Sequence, residues 1–393
     1  MRILHLLTYY RPWISGLTIY VERLARGLSA AGHDVTVLTS RYDPALPLRE
    51  AMDGVHVVRV PVAARISKGV IMPAYGHTLR TLLSECDVAH LHLPQFDGAG
   101  IALNARLFRK PTLLTIHGDI RLPNLPTNRV VQRVIDTMNR IAGHNVDRVV
   151  SYTDDFAQHS TFLQRYQHKL SIVPPPIEMP VPDPVEIAAF KQRWNITTGP
   201  IIGMVARLAT EKGVEVLARA LEDVLQKAPG ARVLFVGPYK NVIGEEHYAE
   251  RIHAMLAELA TRHGPRWDFV GPLQGAQLAA FFAACDVHVL PSLNSTESFG
   301  LVQVESMLCG TPVICSDLPG VRVAPRITGM GEIVPIGDAP ALANAIVRVC
   351  ANRAQYVRPR AEIMDHYSTA RTVRAYEQLY GELIAARSKY KSA

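Results

Sequence analysis

The sequence predicts an α/β protein of two doubly wound domains facing across a cleft. Three observations lead there. Short β-branched or aliphatic runs alternate with amphipathic stretches of helical period along the whole chain. A proline-dense break, six prolines in the eleven residues from Pro174 to Pro184, interrupts that alternation once. A chain of 393 residues with 48% hydrophobic content is long and apolar enough for two cores.

In the first half the predicted strands are Ile3–Leu7, Val35–Thr39, Val55–Val60, Val88–Leu91, Thr112–Ile116, Arg148–Ser151 and Leu170–Val173. Between them lie predicted helices Leu17–Ala31, Val70–Glu85, Gly98–Phe108, Thr127–Asn145 and Asp154–Arg165. Within Leu17–Ala31 the apolar residues Leu17, Tyr20, Val21, Leu24, Ala25 and Leu28 repeat every three or four positions, the stripe of a helix with one buried face. Strands separated by helices of this length pair in parallel, with helices on both faces of the sheet. The prolines then rule out both a continuing helix and a central strand, so residues 174–185 are expected to form a linker. Beyond it come strands Ile201–Ala206, Val233–Val236, Trp267–Val270, Val287–Leu290 and Val313–Cys315. They alternate with helices Val214–Lys227, Glu246–Arg262, Ala276–Ala284, Leu301–Cys309 and Ala339–Ala351, and a last helix follows at Thr369–Arg387. The expected domains are therefore 1–173 and 186–368. In such sheets ligands bind beyond the carboxyl ends of the strands, where the strand order reverses.

The net charge of +7 lies mostly in residues 1–185. That excess is too small to imply nucleic acid and suits an anionic substrate or an anionic surface. Five cysteines with no CxxC pair suggest neither a disulfide framework nor a zinc site, and fit a reducing cytoplasm. The first apolar run is broken at Arg11-Pro12, too early for a signal peptide, and no run approaches a membrane span.

Four segments carry residues suited to chemistry. Glu297-Ser298-Phe299-Gly300-Leu301 precedes a helix whose first N–H groups, at Gly300 and Leu301, suit phosphate or sugar oxygens. Glu305 lies further along that helix. The plainer reading makes Glu297 a helix cap and Glu305 a solvated face residue. Arg207 and Lys212 straddle the turn after Ile201–Ala206, where two cations beside a helix start make a diphosphate site; pairing with Glu211 and Glu215 would explain them equally well. Gly16, between the first strand and the first helix, allows close approach of backbone N–H groups to a ligand. It is no G-x-G-x-x-G fingerprint, which disfavours a nicotinamide-dependent dehydrogenase. His117-Gly118 stands at the carboxyl end of Thr112–Ile116, a position that structural histidines also fill. His90 and His92 alternate on a strand without a third ligand at metal spacing, and read as non-metal.

Taken in order these segments resemble glycosyltransferase family 4, the retaining group of GT-B architecture. The resemblance runs through Ser15-Gly16-Leu17, Tyr20 to Leu28, Gly32-His33-Asp34 to Thr39, His117-Gly118, Val205-Ala206-Arg207-Leu208 and Glu211-Lys212-Gly213. It continues through Phe269-Val270-Gly271, Asp286 to Ser292, Glu297 to Leu301 with Glu305, and Gly310 to Ile314. It implies two Rossmann-like domains, with the last helix crossing back onto the first. It also implies a role for each matched residue. Gly16 would lend its backbone to the donor phosphate. Arg207 and Lys212 would neutralise the diphosphate. Glu297, with the backbone of Phe299, Gly300 and Leu301, would hold hydroxyls of the transferred sugar. Glu305 would bind the ribose, the backbone of Gly271 to Leu273 would lie near the base, and His117 would place the sugar. Many relatives carry two glycines in the first loop, where this chain has Ser15-Gly16.

The function so implied is transfer of a hexosyl group from a nucleotide sugar, UDP-hexose ahead of GDP-mannose, to a hydroxyl of a glycan, glycolipid or small metabolite. Arg207, Lys212 and the helix start supply the electrostatics for the leaving diphosphate. The chain has no Asp-x-Asp motif, and no metal or other cofactor is expected. Two alternatives share the fold: a nucleotide-sugar epimerase or phosphorylase, and a catalytically silent nucleotide-sugar-binding subunit. Acceptor contacts are expected from loops Ser40–Asp53, Ala63–Pro73 and Asp119–Thr127. Arg65, Lys68 and Arg121 beside Ile66, Val70, Ile71, Leu122 and Leu125 read as an ordinary basic surface or as a peripheral contact with the inner membrane surface of a cytoplasmic protein.

Overall fold

The computed structural model describes residues 1–66, 69–120, 126–242 and 244–392. They form two compact units, Met1–Ile177 with Tyr367–Ala393, and Glu178–His366.

The first unit runs β1 (Arg2–Leu6), α1 (Gly16–Ala30), β2 (Asp34–Arg41), β3 (Arg49–Met52), β4 (Val55–Pro61), β5 (Ala64–Ile66), β6 (Gly69–Ile71), α2 (Tyr75–Glu85), β7 (Val88–Leu93), α3 (Gly98–Leu107), β8 (Thr112–Ile116), α4 (Pro126–Asn145), β9 (Arg148–Ser151), α5 (Asp154–His159) and β10 (Leu170–Ile172). Its eight-stranded sheet has the order β10-β9-β8-β7-β1-β2-β4-β3. All neighbours are parallel except β3, which folds back on β4 at the edge. The order reverses at β1. Alternation along the strands gives the two faces different chemistry. Leu4, Leu6, Ala89, Leu91, Leu93, Leu114 and Ile116 pack in an aliphatic core with Leu79, Leu83, Ile101 and Ala105 of α2 and α3. The intervening positions are His5, His90, His92 and Thr115, all fully buried.

The second unit runs α6 (Pro184–Arg193), β11 (Ile201–Val205), α7 (Val214–Lys227), β12 (Arg232–Val236), α8 (Glu246–His263), β13 (Trp267–Gly271), α9 (Gly275–Ala284), β14 (Val287–Leu290), α10 (Leu301–Leu308), β15 (Val313–Ser316), α11 (Val323–Thr328), β16 (Gly331–Val334), α12 (Ala339–Ala351), α13 (Arg353–Tyr356) and α14 (Arg360–His366). Its sheet, β13-β12-β11-β14-β15-β16, is wholly parallel and reverses order at β11.

Two boundaries differ from the sequence reading. Residues 174–177 belong to the first unit. Pro184, counted there as linker, instead opens α6: Asp183 Oδ1 accepts from Val185 N at 2.8 Å, and proline at the first helical position sacrifices no hydrogen bond.

The chain returns to the first unit in α15 (Thr369–Ser392). Val373, Tyr376, Tyr380 and Leu383 repeat at helical spacing and are buried. A Cβ on Gly27 of α1 would come within 2.7 Å of Val373 Cγ2, so the two helices lie in close contact. Tyr376 and Tyr380 meet the polar face of the sheet. Tyr376 OH lies 2.5 Å from Tyr20 OH and 2.9 Å from Thr115 Oγ1, and Tyr380 OH lies 2.7 Å from His90 Nδ1. No helix of the described residues is long and apolar enough to cross a membrane.

Candidate functional site

In a doubly wound sheet the crevice opens beside the strand where the order reverses. In the second unit that strand is β11, flanked by β14. The loops that follow these two strands carry Arg207, Lys212 and Glu297. The two loops are held together by backbone: Leu293 N donates to Glu211 O at 2.9 Å. Gly213, at φ +67°, lies so close that an added Cβ would stand 2.1 Å from Pro291 O. Lys212 Nζ donates to Glu297 Oε2 at 2.6 Å, with both side chains largely buried. Arg207 pairs with Glu211.

The local-pairing alternative thus holds for Arg207 but not for Lys212, whose partner stands 85 residues away. Glu215 is taken by Tyr248, which donates to it, with Arg251 at 3.7 Å. Nor does Glu297 cap the helix, as its plainer reading had it. Gly300 is the N-cap of α10, at φ +75°, and a Cβ there would meet Leu290 Cδ2 at 2.3 Å. Only glycine lets the chain turn into α10 while hugging β14. Phe299 and Ser298 are buried beneath that turn, and Leu301 opens the helix half-buried. Glu305 is only 3% exposed, so it is no solvated face residue. Gly271 ends β13 at φ +88°, with its carbonyl accepting from Gly237 N at 3.0 Å, and Leu273 follows half-buried.

Sequence reasoning missed three residues here. Gln303 donates from Nε2 to Phe299 O and, at 2.9 Å, to Val321 O, tying down the start of α10. His288, inside β14, accepts from Val205 N at 3.3 Å, and burial pushes its pKa down to about 3. Ser292 is fully buried with its hydroxyl unpartnered. An apolar strand conceals a histidine, and nothing in sequence spacing marks the other two.

In the first unit the reversal falls at β1, and the loop after it carries Gly16. Ser15 is the N-cap of α1, at φ −153°, its hydroxyl accepting from Thr18 N at 3.2 Å. Gly16 starts the helix, and a Cβ on it would meet nothing within 4 Å. Packing within the protein therefore does not demand a glycine there. His117 lies just past β8, half-buried, with both ring nitrogens engaged: Nε2 is 3.0 Å from His92 Nδ1, and Nδ1 is hydrogen-bonded to Tyr152 OH. Burial lowers its pKa to about 3, so the ring is neutral.

Among the described residues, His5, His90 and His92 have ring nitrogens within 4.8 Å of one another, close enough to share a metal ion. Spacing along the chain does not mark His5 as a third member, because it stands on the neighbouring strand, in register with His90. The ring nitrogens of His90 and His92 are nevertheless already committed. His90 bonds Tyr380 OH and Thr115 Oγ1, each at 2.7 Å, while His92 bonds His5 and His117. That is the pattern of a hydrogen-bonded network rather than of converging lone pairs.

Burial holds His5, His90, His92 and His117 below the ordinary imidazole pKa of about 6.5, with His5 and His117 near 3. The unfolded chain therefore binds more protons below pH 6.5. The contribution of these rings to stability is complete above that pH and is lost as pH falls towards 3, by up to about 1.4 kcal/mol per pH unit for each ring. The urea midpoint is expected to drop steadily from pH 6.5 to pH 4. A midpoint unchanged over that range would contradict four rings held neutral in the folded protein.

Of the loops expected to touch an acceptor, Arg65 is described, and its guanidinium donates to Tyr42 O. Lys68, Arg121, Leu122 and Leu125 lie outside the described residues.

Two family models match the chain in succession: a glycosyl transferase 4-like domain over residues 15–176, and glycosyl transferases group 1 over residues 199–352. The D-inositol 3-phosphate glycosyltransferase of Acidothermus cellulolyticus is 28% identical, over 95% of this chain and 86% of its own. The phosphatidyl-myo-inositol mannosyltransferase of Mycobacterium leprae is 25% identical over the whole of both. Among solved structures, sucrose-phosphate synthase from Thermosynechococcus elongatus superposes with a TM-score of 0.77 at 25% identity, over 98% of this chain and 99% of that one. Anabaena Alr3699/HepE, in complex with UDP and glucose, gives a TM-score of 0.76 at 17% identity over 96% and 99%, a likeness of fold.

Proposed function

The chain belongs to the GT-B glycosyltransferases of family-4 type, and on that premise we propose that it transfers a hexosyl group with retention of configuration and without a metal ion, from UDP-hexose in preference to GDP-mannose. The observation that carries the reading is the Lys212–Glu297 pair at the strand-order reversal, beside the N-terminus of α10. With no donor bound, Glu297 neutralises Lys212. An arriving diphosphate takes over Lys212 together with Arg207, and Glu297 turns to hydroxyls of the sugar.

The remaining donor contacts belong to the same proposal. Backbone N–H groups near Phe299, Gly300 and Leu301 receive sugar or phosphate oxygens at the helix start. Glu305 accepts from the ribose, the backbone of Gly271 to Leu273 lies along the base, and the open space over Gly16 is filled by the donor phosphate. His117 serves the sugar by exchanging its bond to Tyr152 for one to a sugar hydroxyl. In the reaction the bond from the anomeric carbon to the diphosphate oxygen breaks. The bond to the acceptor oxygen forms on the same face, and the acceptor's proton passes to the departing phosphate oxygen. Positive charge fixed in advance at Arg207 and Lys212 stabilises the negative charge that develops there.

The acceptor class follows the relatives' names: an inositol phosphate, free or as a phospholipid headgroup. The experiment is to incubate the protein with UDP-glucose or GDP-mannose, each with and without inositol 3-phosphate or phosphatidylinositol vesicles. Free nucleotide and glycosylated inositol appearing together, only when acceptor is present, is the expected result. An isomerised sugar, or no turnover with either donor, would count against it. Co-flotation with the vesicles separates the lipid acceptor from the free one.

A further inference from the structure

The polar face of the first unit's sheet carries a row of imidazoles. His5 Nδ1 is 2.9 Å from His92 Nε2, His92 Nδ1 is 3.0 Å from His117 Nε2, and His117 Nδ1 meets Tyr152 OH. His5 and His92 are completely buried, and the row ends at His5 Nε2, which has no partner. His90 stands outside the row, committed to Tyr380 and Thr115.

A neutral imidazole has one N–H and one bare nitrogen, so a ring that donates on one side must accept on the other. Such a row can run in only two directions. In one, Tyr152 donates to His117 Nδ1 and every ring carries its proton on Nε2. In the other, every ring carries it on Nδ1 and His117 donates to the Tyr152 oxygen. A phenol is far more acidic than a neutral imidazole N–H and the bare imidazole nitrogen is the stronger base, which favours O–H donating to nitrogen at the Tyr152 end. With that bond set, the proton positions of His117, His92 and His5 follow in turn.

We infer that His92 is a positioning residue: backed by His5, it accepts a hydrogen bond from the Nε2–H of His117 and so leaves His117 Nδ1 as an acceptor for a hydroxyl group, that of Tyr152 in the free protein and that of a sugar or cyclitol when substrate is bound. The inference rests on the proposed place of His117 at the reacting end. It sharpens that reading, because a ring with a bare Nδ1 selects a ligand that presents O–H there and rejects one that presents only an acceptor. His92 makes no ligand contact in this scheme and works through His117.

Two measurements test it. Ring-nitrogen NMR of the ¹⁵N-histidine-labelled full chain reads tautomers directly. His5, His92 and His117 are expected neutral at pH 7, all three protonated on Nε2. An Nδ1-protonated His117, different tautomers among the three rings, or stoichiometric zinc in the purified protein would overturn the inference whatever the activity. In kinetics, His92→Leu deprives the His117 N–H of its acceptor, whereas His92→Gln keeps an acceptor for His117 and a donor for His5. His92→Leu is expected to lower kcat/KM about tenfold, with His92→Gln recovering most of the loss. Two folded variants with equal kinetics would reduce His92 to packing. Full activity in His117→Ala would instead remove the reading of His117 at the reacting end, an outcome the tautomers by themselves cannot produce.

Discussion

Alanine in place of Lys212 is expected to lower kcat/KM for nucleotide-sugar turnover by about 10²–10³-fold, the usual consequence of deleting one preorganised group that faces developing charge. Lys212 keeps its ammonium largely out of water, at 2.6 Å from Glu297. A cation so placed interacts with a diphosphate more strongly than a solvated one would. The competing explanation is that Lys212 exists only to neutralise Glu297. Then Lys212→Ala would harm chiefly by stranding a carboxylate, and removing both charges in Lys212→Met/Glu297→Gln would restore turnover. If Lys212 meets the diphosphate and Glu297 the sugar, the double variant stays at least as impaired as the worse single one. A steady-state comparison of the four proteins decides between the two. The melting temperature of the double variant should move by only a few degrees in either case.

The fold was legible in the sequence because its elements are local and periodic. Of the six residues read as one helical stripe, Tyr20, Val21, Leu24, Ala25 and Leu28 are buried on α1, and Leu17 in its first turn is half-buried. Elements set by pairing alone were not legible. β3, with the sequence Arg-Glu-Ala-Met, has no strand pattern of its own and exists because β4 offers it an edge. The site divides along the same line. Residues at strand ends and at the Phe299-Gly300 turn announce themselves through chain geometry. What each charged group touches depends on residues far along the chain: Lys212 finds Glu297, not Glu215. The plainer reading of Glu305 as solvated rests on what a glutamate on a helix usually is. α10, however, is buried at every position from Gln303 to Leu308, so no polar face exists for it to occupy. The imidazole row was invisible for a related reason. Its members come from β1, β7 and the end of β8, and only the sheet order sets them side by side.

Gly213→Ala is expected to damage both folding and turnover, and for reasons that can be separated. At φ +67° an alanine is held in the left-handed region, a cost of about 1–2 kcal/mol. Its methyl group would also stand 2.1 Å from the carbonyl oxygen of Pro291, backbone that cannot rotate aside. The loops after β11 and β14 would have to part, and those loops hold Lys212 and Glu297 against each other. Gly310→Ala provides the control: its φ of +77° imposes the same backbone strain, but an added Cβ there meets nothing within 4 Å. The Gly310 variant should therefore lose about 1–2 kcal/mol and keep its kinetic constants. The Gly213 variant should lose clearly more stability. At temperatures where it remains folded, its kcat/KM should still fall by about 10²-fold, since displacements near 1 Å are enough for that. Equal stabilities and equal kinetics in the two variants would mean that the Gly213–Pro291 approach yields without disturbing the pair. The close packing of the two loops could then no longer be what sets Lys212 in place.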